Sequence, residues 1–220
     1  MAKRYGFLWC IKNVDLIKFI KYNFLSSVVV SENKARFYPL KGTKLDLKRS
    51  SRIYLQGNLI IGNNRVRGSK RETYLLLGER AQLHINGDVM LNYGCHMQAH
   101  ADAHIALGTS VINTDSVIVI EKELEIGQDV LMGRFVTIFD SDFHTIRDEQ
   151  GNRTNPPRKV TIGNHVWIGT KATILKGTKI KDGAVISANA YVGGVVKENA
   201  LFSALPGQMF GTVEWGKVPR

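Results

Sequence analysis

The chain has 220 residues, of which 44% are hydrophobic, so it can bury a sizeable core in one large domain or two small ones. Its longest apolar stretches fall well short of the roughly 18 residues that a membrane-spanning helix needs, and its first residues do not follow a signal-peptide pattern. The two cysteines, Cys10 and Cys95, predict no disulfide framework and favour a reducing, cytoplasmic location.

The positive charge is concentrated in the first third of the chain. The formal net charge is +11 at pH 7, and residues 1–80 hold 17 Lys and Arg against 5 Asp and Glu, whereas residues 81–220 hold 13 against 14. This distribution favours an anionic partner for the front of the molecule, although a solvated basic surface without a partner stays open. No nucleic-acid recognition motif accompanies the charge, so we expect no nucleic acid.

Residues 1–50 are predicted to form a basic amphipathic segment. Apolar side chains recur every three to five residues with lysines between them, which is typical of a helix with one apolar face: Leu8, Ile11, Leu16, Phe19 and Ile20 alternate with Lys12, Lys18 and Lys21. Two alternatives follow. The segment packs on the rest of the protein or across subunits, which we favour, or it contacts an anionic membrane peripherally.

A repeat of six residues runs through most of the remaining chain. Ile53, Leu55, Leu59 and Ile61 are candidates for its irregular beginning. An early, weaker series then comprises Leu77, Leu83, Val89, Cys95, Ala101, Leu107, Asn113 and Val119. After a shift of one residue, a second series comprises Ile126, Met132 and Ile138.

The repeat is strictest between residues 162 and 196. Every sixth residue is a β-branched aliphatic, and the residue four positions later is always small or β-branched. The first set comprises Ile162, Ile168, Ile174, Ile180, Ile186 and Val192, and the second comprises Val166, Ala172, Thr178, Ala184, Ala190 and Val196. Such a period predicts a parallel β-helix in which three hexads close one coil of 18 residues.

The repeat is interrupted over residues 139–159. This stretch includes "FDSDFHTIRD", is rich in Asp, Asn, Gly and Pro, and ends before the repeat resumes in phase at Ile162. We expect a loop that leaves the coil stack and returns to it, and long loops on rigid scaffolds often carry function. Its histidine, His144, has the chemistry of a general base, because the protonation of imidazole changes near neutral pH.

The run "IGNHVWIGTKATILKGTKIKDGAVISANAYV", residues 162–192, resembles the hexapeptide-repeat acyltransferases, and the resemblance covers about residues 77–207. It is nearest to their galactoside, maltose and polysaccharide O-acetyltransferase branch. It implies a left-handed parallel β-helix, an acetyl-CoA co-substrate and a homotrimer with active sites between subunits. We therefore expect a β-helix domain over 51–207, with the loop at 139–159, and a C-terminal tail over 208–220.

The resemblance also implies roles for individual residues near the loop. In this family a catalytic histidine stands at the root of the same loop, which matches His144. The family's asparagine beside that histidine matches Asn113 by its spacing to Ile126, and an acidic residue that binds the acceptor falls at Glu121. Asp140 and Asp142 are candidates to orient the imidazole or to bind substrate.

The donor groove is implied to follow the outside of the late coils. The residues at the family's donor-binding positions are Thr170, Ser187, Ala188 and Asn189. Trp167 is expected to form a wall of the site near His144. Relatives often carry a basic residue after the last coil, where this chain has Gln208, and Lys197 is the candidate replacement. We expect no metal, because His96, His100 and His104 would point to different faces of a six-residue repeat.

The resemblance, together with the basic front third of the chain, implies an all-β O-acetyltransferase acting on a sugar hydroxyl of a bacterial surface polysaccharide or its precursor. Two alternatives stay open. An amino-sugar N-acetyltransferase would use the same scaffold and histidine, and a non-enzymatic trimeric β-helix would serve as an interaction module.

Overall fold

The computed structural model describes residues 7–64, 68–203 and 209–212. Three sheets run along one axis, and the chain passes from the first to the second to the third before it returns to the first one level higher. Neighbouring strands are parallel, except for the last pair of the second sheet. The architecture is a parallel β-helix, as the hexad repeat predicts, and it is left-handed, as the family resemblance implies.

The helices and strands have the following bounds. The helices are α1 (Phe7–Asn13) and α2 (Leu16–Ile20), and a π-helical turn, Lys21–Leu25, follows them. Sheet 1 contains β1 (Val29–Ser31), β4 (Arg52–Leu55), β7 (Gln82–Ile85), β10 (His104–Leu107), β13 (Glu123–Ile126), β16 (Val160–Ile162), β19 (Lys179–Ile180) and β22 (Val195–Val196). Sheet 2 contains β2 (Phe37–Pro39), β5 (Leu59–Asn63), β8 (Val89–Asn92), β11 (Ser110–Ile112), β14 (Val130–Met132), β17 (Trp167–Ile168), β20 (Val185–Ile186), β23 (Ala200–Phe202) and β24 (Met209–Thr212). Sheet 3 contains β3 (Thr43–Leu47), β6 (Thr73–Leu77), β9 (His96–Ala99), β12 (Val117–Ile120), β15 (Thr137–Phe139), β18 (Thr173–Ile174) and β21 (Tyr191–Val192).

The strict late repeat forms the core as predicted. All twelve of its apolar and small positions are buried. Residues 18 apart, such as Ile162 and Ile180, lie side by side on neighbouring strands, so each aliphatic side chain packs on the next coil. One continuous apolar cluster therefore runs the length of the helix, from Tyr22 to Ala200.

The prediction for the early series was partly wrong. Leu77, Leu83, Val89, Cys95 and Leu107 are buried, but Ala101 is exposed and both Asn113 and Val119 are only half-buried. The reason is coil length, because 22 residues separate paired residues in β7 and β10, and 21 separate those in β8 and β11. A step of six cannot stay in register on such coils, whose inward positions include Ile105, Ile112 and Ile118.

The coil stack begins earlier in the chain than residue 51, which was its predicted start. Strands β1, β2 and β3 already belong to the three sheets, although they lack the hexad pattern. At the other end, β24 pairs antiparallel with β23, so part of the predicted tail is a strand of sheet 2. Gln208 lies outside the described residues.

The N-terminal segment packs on the first coils. Val14, Leu40 and Ile60 form a small buried cluster between α1 and the outer face of sheet 2. Tyr22 joins the main core, where it contacts Phe37 and covers the start of the coil stack. Among the described residues, no helix combines the length and the apolar character needed to cross a membrane.

Candidate functional site

The loop starts at the corner between sheets 3 and 1, which we call the 3/1 corner. Asp140 follows β15 directly and is fully buried. Its carboxylate accepts hydrogen bonds from the backbone N–H groups of residues 121, 122 and 123, at 2.7, 2.7 and 2.8 Å. Its carbonyl oxygen accepts from the backbone N–H of Arg158, at the far end of the loop (2.8 Å).

These contacts correct the prediction that Asp140 binds substrate. Both carboxylate oxygens are already used by the backbone of the preceding coil, and the side chain has no exposed surface. A buried carboxylate is retained when it is bonded in this way, because desolvation would otherwise be costly. Asp140 therefore fixes the root of the loop and does not face a ligand.

Glu121 lies at the same corner, one coil below the loop. Its carboxylate accepts a hydrogen bond from the hydroxyl of Ser141, which is buried, and the same hydroxyl accepts from the backbone N–H of Phe143 (3.0 Å). The other oxygen of Glu121 lies 3.6 Å from the guanidinium of Arg153. Glu121 therefore joins both arms of the loop while about a third of its side chain stays exposed.

Asn155 holds the segment that carries His144. Its amide donates to the carboxylate of Asp142 (2.7 Å) and to the backbone carbonyl of His144 (2.8 Å), and its oxygen accepts from the backbone N–H of Ile146 (2.8 Å). Asp142 also accepts from Lys176 on a later coil. Lys176 and Asn155 together lower the pKa of the Asp142 carboxyl, so it stays ionised in mild acid.

The imidazole of His144 itself is exposed. Within the described ranges it has no hydrogen-bond or ion-pair partner, and neither Asp140 nor Asp142 orients it as predicted. Phe143, next to it, stacks on the ring of His100 (5.5 Å between centroids) and meets the edge of Phe139 (5.7 Å). The backbone at His144 is thus held firmly while its side chain is left free to meet a ligand.

A cleft of about 390 Å³ lies under this part of the loop. The apolar part of its wall is formed by Phe139, Phe143 and Leu175. The polar and charged part is formed by Ser141, Asp142, Arg158 and Lys176, and the adjacent glycines Gly193 and Gly194 complete the lining. Gly177 lets Arg158 lie close, because a Cβ there would sit 3.1 Å from its guanidinium nitrogen Nε. The cleft is large enough for part of a small ligand and combines apolar walls with a few polar groups.

Asn113 lies at a different corner, between sheets 2 and 3, which we call the 2/3 corner. Its amide oxygen accepts from Asn92 (2.8 Å), and its amide nitrogen donates to the carbonyl of Met132 (2.9 Å). Asn63 donates to Asn92 in turn (3.0 Å), so three asparagines form a ladder from coil to coil. Within one chain the ladder satisfies Asn113 and places it at a different corner from His144, so the expected pairing of the two stays a prediction about neighbouring subunits.

The predicted donor residues lie mainly at the 2/3 corner of the late coils. Thr170 and Asn189 are stacked there, with the backbone N–H of Asn189 donating to Thr170 (2.9 Å). Ser187 and Ala188 belong to the same turn, and a Cβ on Gly169 would lie 2.5 Å from the backbone nitrogen of Ala188, so the coils touch closely.

Trp167 and Lys197 lie away from the 2/3 corner. Trp167 is 43% exposed on the outer face of sheet 2, and Lys197 lies at the corner between sheets 1 and 2. Sheet 2 is the side of the triangular coil that faces away from the 3/1 corner. One chain therefore does not place Trp167 near His144, contrary to the expectation.

The remaining histidines and cysteines do not form a second site. His96 lies on sheet 3 beside Tyr74, and His165 bonds Asp129 (2.8 Å) at the corner between sheets 1 and 2. No group of three or more His, Cys, Asp or Glu side chains among the described residues is arranged to hold a metal ion. Burial raises the pKa of the Cys95 thiol to about 12, so it cannot supply a thiolate nucleophile near neutral pH.

Several residues of this site were missed from the sequence. Ser141, Asn155, Arg158 and Lys176 carry no hexad signal of their own. The bonds from Ser141 to Glu121, from Asn155 to Asp142 and from Lys176 to Asp142 span 20, 13 and 34 residues of the chain. The adjacent pair Gly193 and Gly194, just after the last strict aliphatic, was the one local signal of an opened surface.

The comparisons with known proteins agree with this architecture. Residues 159–194 match the family described as bacterial transferase hexapeptide (six repeats). The crystal structure of the polysialic acid O-acetyltransferase OatWY has the same fold, with a TM-score of 0.59 at 22% identity over 86% of this chain and 92% of that one. The chain therefore has the left-handed β-helix fold, and its late coils carry the hexapeptide repeat.

Proteins of known name are similar to this chain in sequence. The chain is 32% identical over 128 residues to the polysialic acid O-acetyltransferase of Neisseria meningitidis, covering 57% of this chain and 55% of that protein. It is 28% identical over 148 residues to the putative lipopolysaccharide biosynthesis O-acetyl transferase WbbJ of Escherichia coli (strain K12), covering 59% and 76%. The chain thus spans about half the length of the Neisseria protein. Both of these relatives carry the names of O-acetyltransferases.

Proposed function

We propose that this protein is an acetyl-CoA-dependent O-acetyltransferase that acts on a sugar hydroxyl of a bacterial surface polysaccharide or its lipid-linked precursor, in the cytoplasm. The observation that carries the proposal is the exposed imidazole of His144, which follows directly after cleft-lining residues where the regular coil stack pauses and whose backbone is held by Asn155. The names of the two relatives support the reaction and the class of acceptor.

His144 is the proposed general base of a direct transfer. Its imidazole accepts the proton of the acceptor hydroxyl as the oxygen bonds to the thioester carbonyl carbon. The carbon–sulfur bond then breaks, and the CoA thiolate takes the proton from the imidazolium, which leaves an acetyl ester and free CoA. Backbone N–H groups at a coil corner would stabilise the oxyanion.

The active site is proposed to lie between two subunits of a homotrimer. In one chain, His144 and the proposed donor residues Trp167, Thr170 and Asn189 belong to different parts of the triangular coil. A neighbouring subunit related by a threefold axis would bring the second set to the first. Ser187, Ala188 and Lys197 would add contacts to the donor, while Asn113 and Glu121 would hold the acceptor through the surfaces they leave exposed.

Donor binding can be tested without an acceptor. Thermal unfolding is followed with acetyl-CoA, with free CoA and with ATP as control. A ligand bound only by the folded protein stabilises it by about 2.7 kcal/mol at a hundred times its dissociation constant. We expect acetyl-CoA and CoA, but not ATP, to raise the midpoint. No shift at millimolar acetyl-CoA would favour an interaction module instead.

The base is tested with His144→Ala against His104→Ala, a histidine on the exposed face of sheet 1. We expect the first variant to lose roughly 10²- to 10⁴-fold in kcat with normal folding, because general-base catalysis contributes about that much. The second should keep its activity. Full activity of His144→Ala would refute its assignment as the general base. A separate panel of alcohol and amine acceptors shows whether the acetyl group is transferred to oxygen or to nitrogen.

Shared sites are tested by mixing two inactive variants, His144→Ala and Trp167→Ala. If each site takes its base from one subunit and its donor wall from the next, random reassembly into trimers should restore roughly a quarter of the wild-type rate. Sites built within one chain would stay inactive in every mixture.

A further inference from the structure

The N-terminal segment has a second face that the β-helix does not cover. Val14 and Tyr22 are buried against the first coils. On the opposite side, Ile17 is 82%, Phe24 is 60% and Leu25 is 77% exposed. With Ile11, Leu16 and Ile20, which are also exposed, they form what we call the N-terminal apolar surface.

This surface is unusual within the described part of the chain. Six of the fourteen large apolar side chains that are exposed there fall between residues 11 and 25. Leu16, Ile17 and Ile20 lie on adjacent turns of α2, and Phe24 follows one turn later. Exposed apolar side chains grouped in this way mark interaction sites more often than isolated ones do.

Cations surround the apolar side chains. Lys12, Lys21 and Lys34 are exposed, and the guanidinium of Arg36 lies 5.4 Å from the centre of the Phe24 ring. The acidic side chains between residues 7 and 36 are Asp15, which is paired with Lys18 (2.7 Å), and Glu32. The excess of positive charge in residues 1–80 extends this basic character over the first coils.

We propose that the N-terminal apolar surface docks on a bilayer that contains anionic lipids. Apolar side chains would enter the boundary between headgroups and acyl chains while the lysines meet the headgroup phosphates. A second copy of the chain is a poorer occupant, because a twofold contact at this surface would place two basic ends against each other.

The test measures sedimentation of the purified full chain with vesicles of phosphatidylcholine alone and with 30% phosphatidylglycerol. We expect binding to the anionic vesicles only, weakened by salt. The double variant Ile17→Ser, Leu25→Ser should bind at least tenfold more weakly, and Lys12→Gln, Lys21→Gln about fivefold more weakly for each lysine. All four side chains are exposed, so folding should not change.

Matched controls come from the late coils. Val195→Ser removes an exposed apolar side chain (63%) and Lys179→Gln an exposed cation on sheet 1, and both should bind as wild type does. Equal binding to both vesicle types, or retention by the N-terminal variants, would overturn the proposal. So would competition by soluble glycerol phosphate, which would indicate a phosphate site, or a smaller assembly of the N-terminal variants than of the wild type in sedimentation velocity, which would indicate an interface between copies. No substrate is present, so the result is independent of catalysis.

Discussion

The early and late coils surround the same apolar core with strands of different lengths. From β4 to β10 the strands have four or five residues, whereas β17 to β22 have two each. In the late coils the residues outside the strands form tight corners, so each side of the coil takes six residues. The strict hexad repeat follows from this constant length. The loop with His144 stands between the two regions, after β15 and before β16, so the chain departs from the scaffold where the coil length changes.

The comparison predicts how far damage spreads from one coil. Ile168→Ala in the late coils and Ile105→Ala in the early coils each remove a fully buried side chain and should cost about 2–5 kcal/mol in the free energy of unfolding. Because coils contact only their neighbours, hydrogen exchange should rise around the altered coil and leave the other region protected. Uniform loss of protection from either variant would mean that the two regions unfold as one unit.

A smaller effect is expected at the root of the loop. Asp140→Asn keeps the size of the side chain but exchanges an accepting oxygen for an NH₂ group that faces backbone donors. We expect a loss of about 1–3 kcal/mol in the free energy of unfolding, measured by urea denaturation. The exposed Asp148→Asn is the control, since its partners lie at the tip of the loop. Wild-type stability of Asp140→Asn would show that the corner does not depend on the carboxylate.

Asn155→Ala should leave global stability nearly unchanged and act on the loop. Losing its three hydrogen bonds frees the backbone at His144, so we expect about tenfold or more loss in kcat with little change in KM for the donor. Asn152→Ala at the exposed tip is the matched control. Rates that fall equally in both variants would attribute the effect to general loosening of the loop.

The smallest effect concerns the ion pair between Asp142, which is exposed, and Lys176, which is half-buried. The pKa of Asp142 is lowered in the folded protein, so its contribution is complete above the ordinary Asp pKa and is lost as the pH falls through the lowered value. The difference in Tm between wild type and Lys176→Met should therefore be small at pH 7 and should shrink only as the pH falls below the ordinary Asp pKa. A difference that grows in acid would have the wrong sign for this pair.

Much of the fold was predictable because inward positions repeat at a fixed step. The late series from Ile162 to Val192 is confirmed residue by residue. The early series failed at Asn113 and Val119, since coils of 21 or 22 residues shift the inward position between hexads. For the site, the sequence located the loop and His144, but it assigned Asp140 to substrate when its carboxylate bonds the coil below.

By itself, the sequence determined the parallel β-helix, the interruption at 139–159 and the basic front of the molecule, because each is a local or periodic property of the chain. Only the tertiary structure decided which corner each group occupies. It joined Asn155 to His144, Ser141 to Glu121 and Lys176 to Asp142. Such contacts depend on how coils stack, and neighbours in a stack lie a full coil or a loop apart in the chain, where no short-range pattern records them.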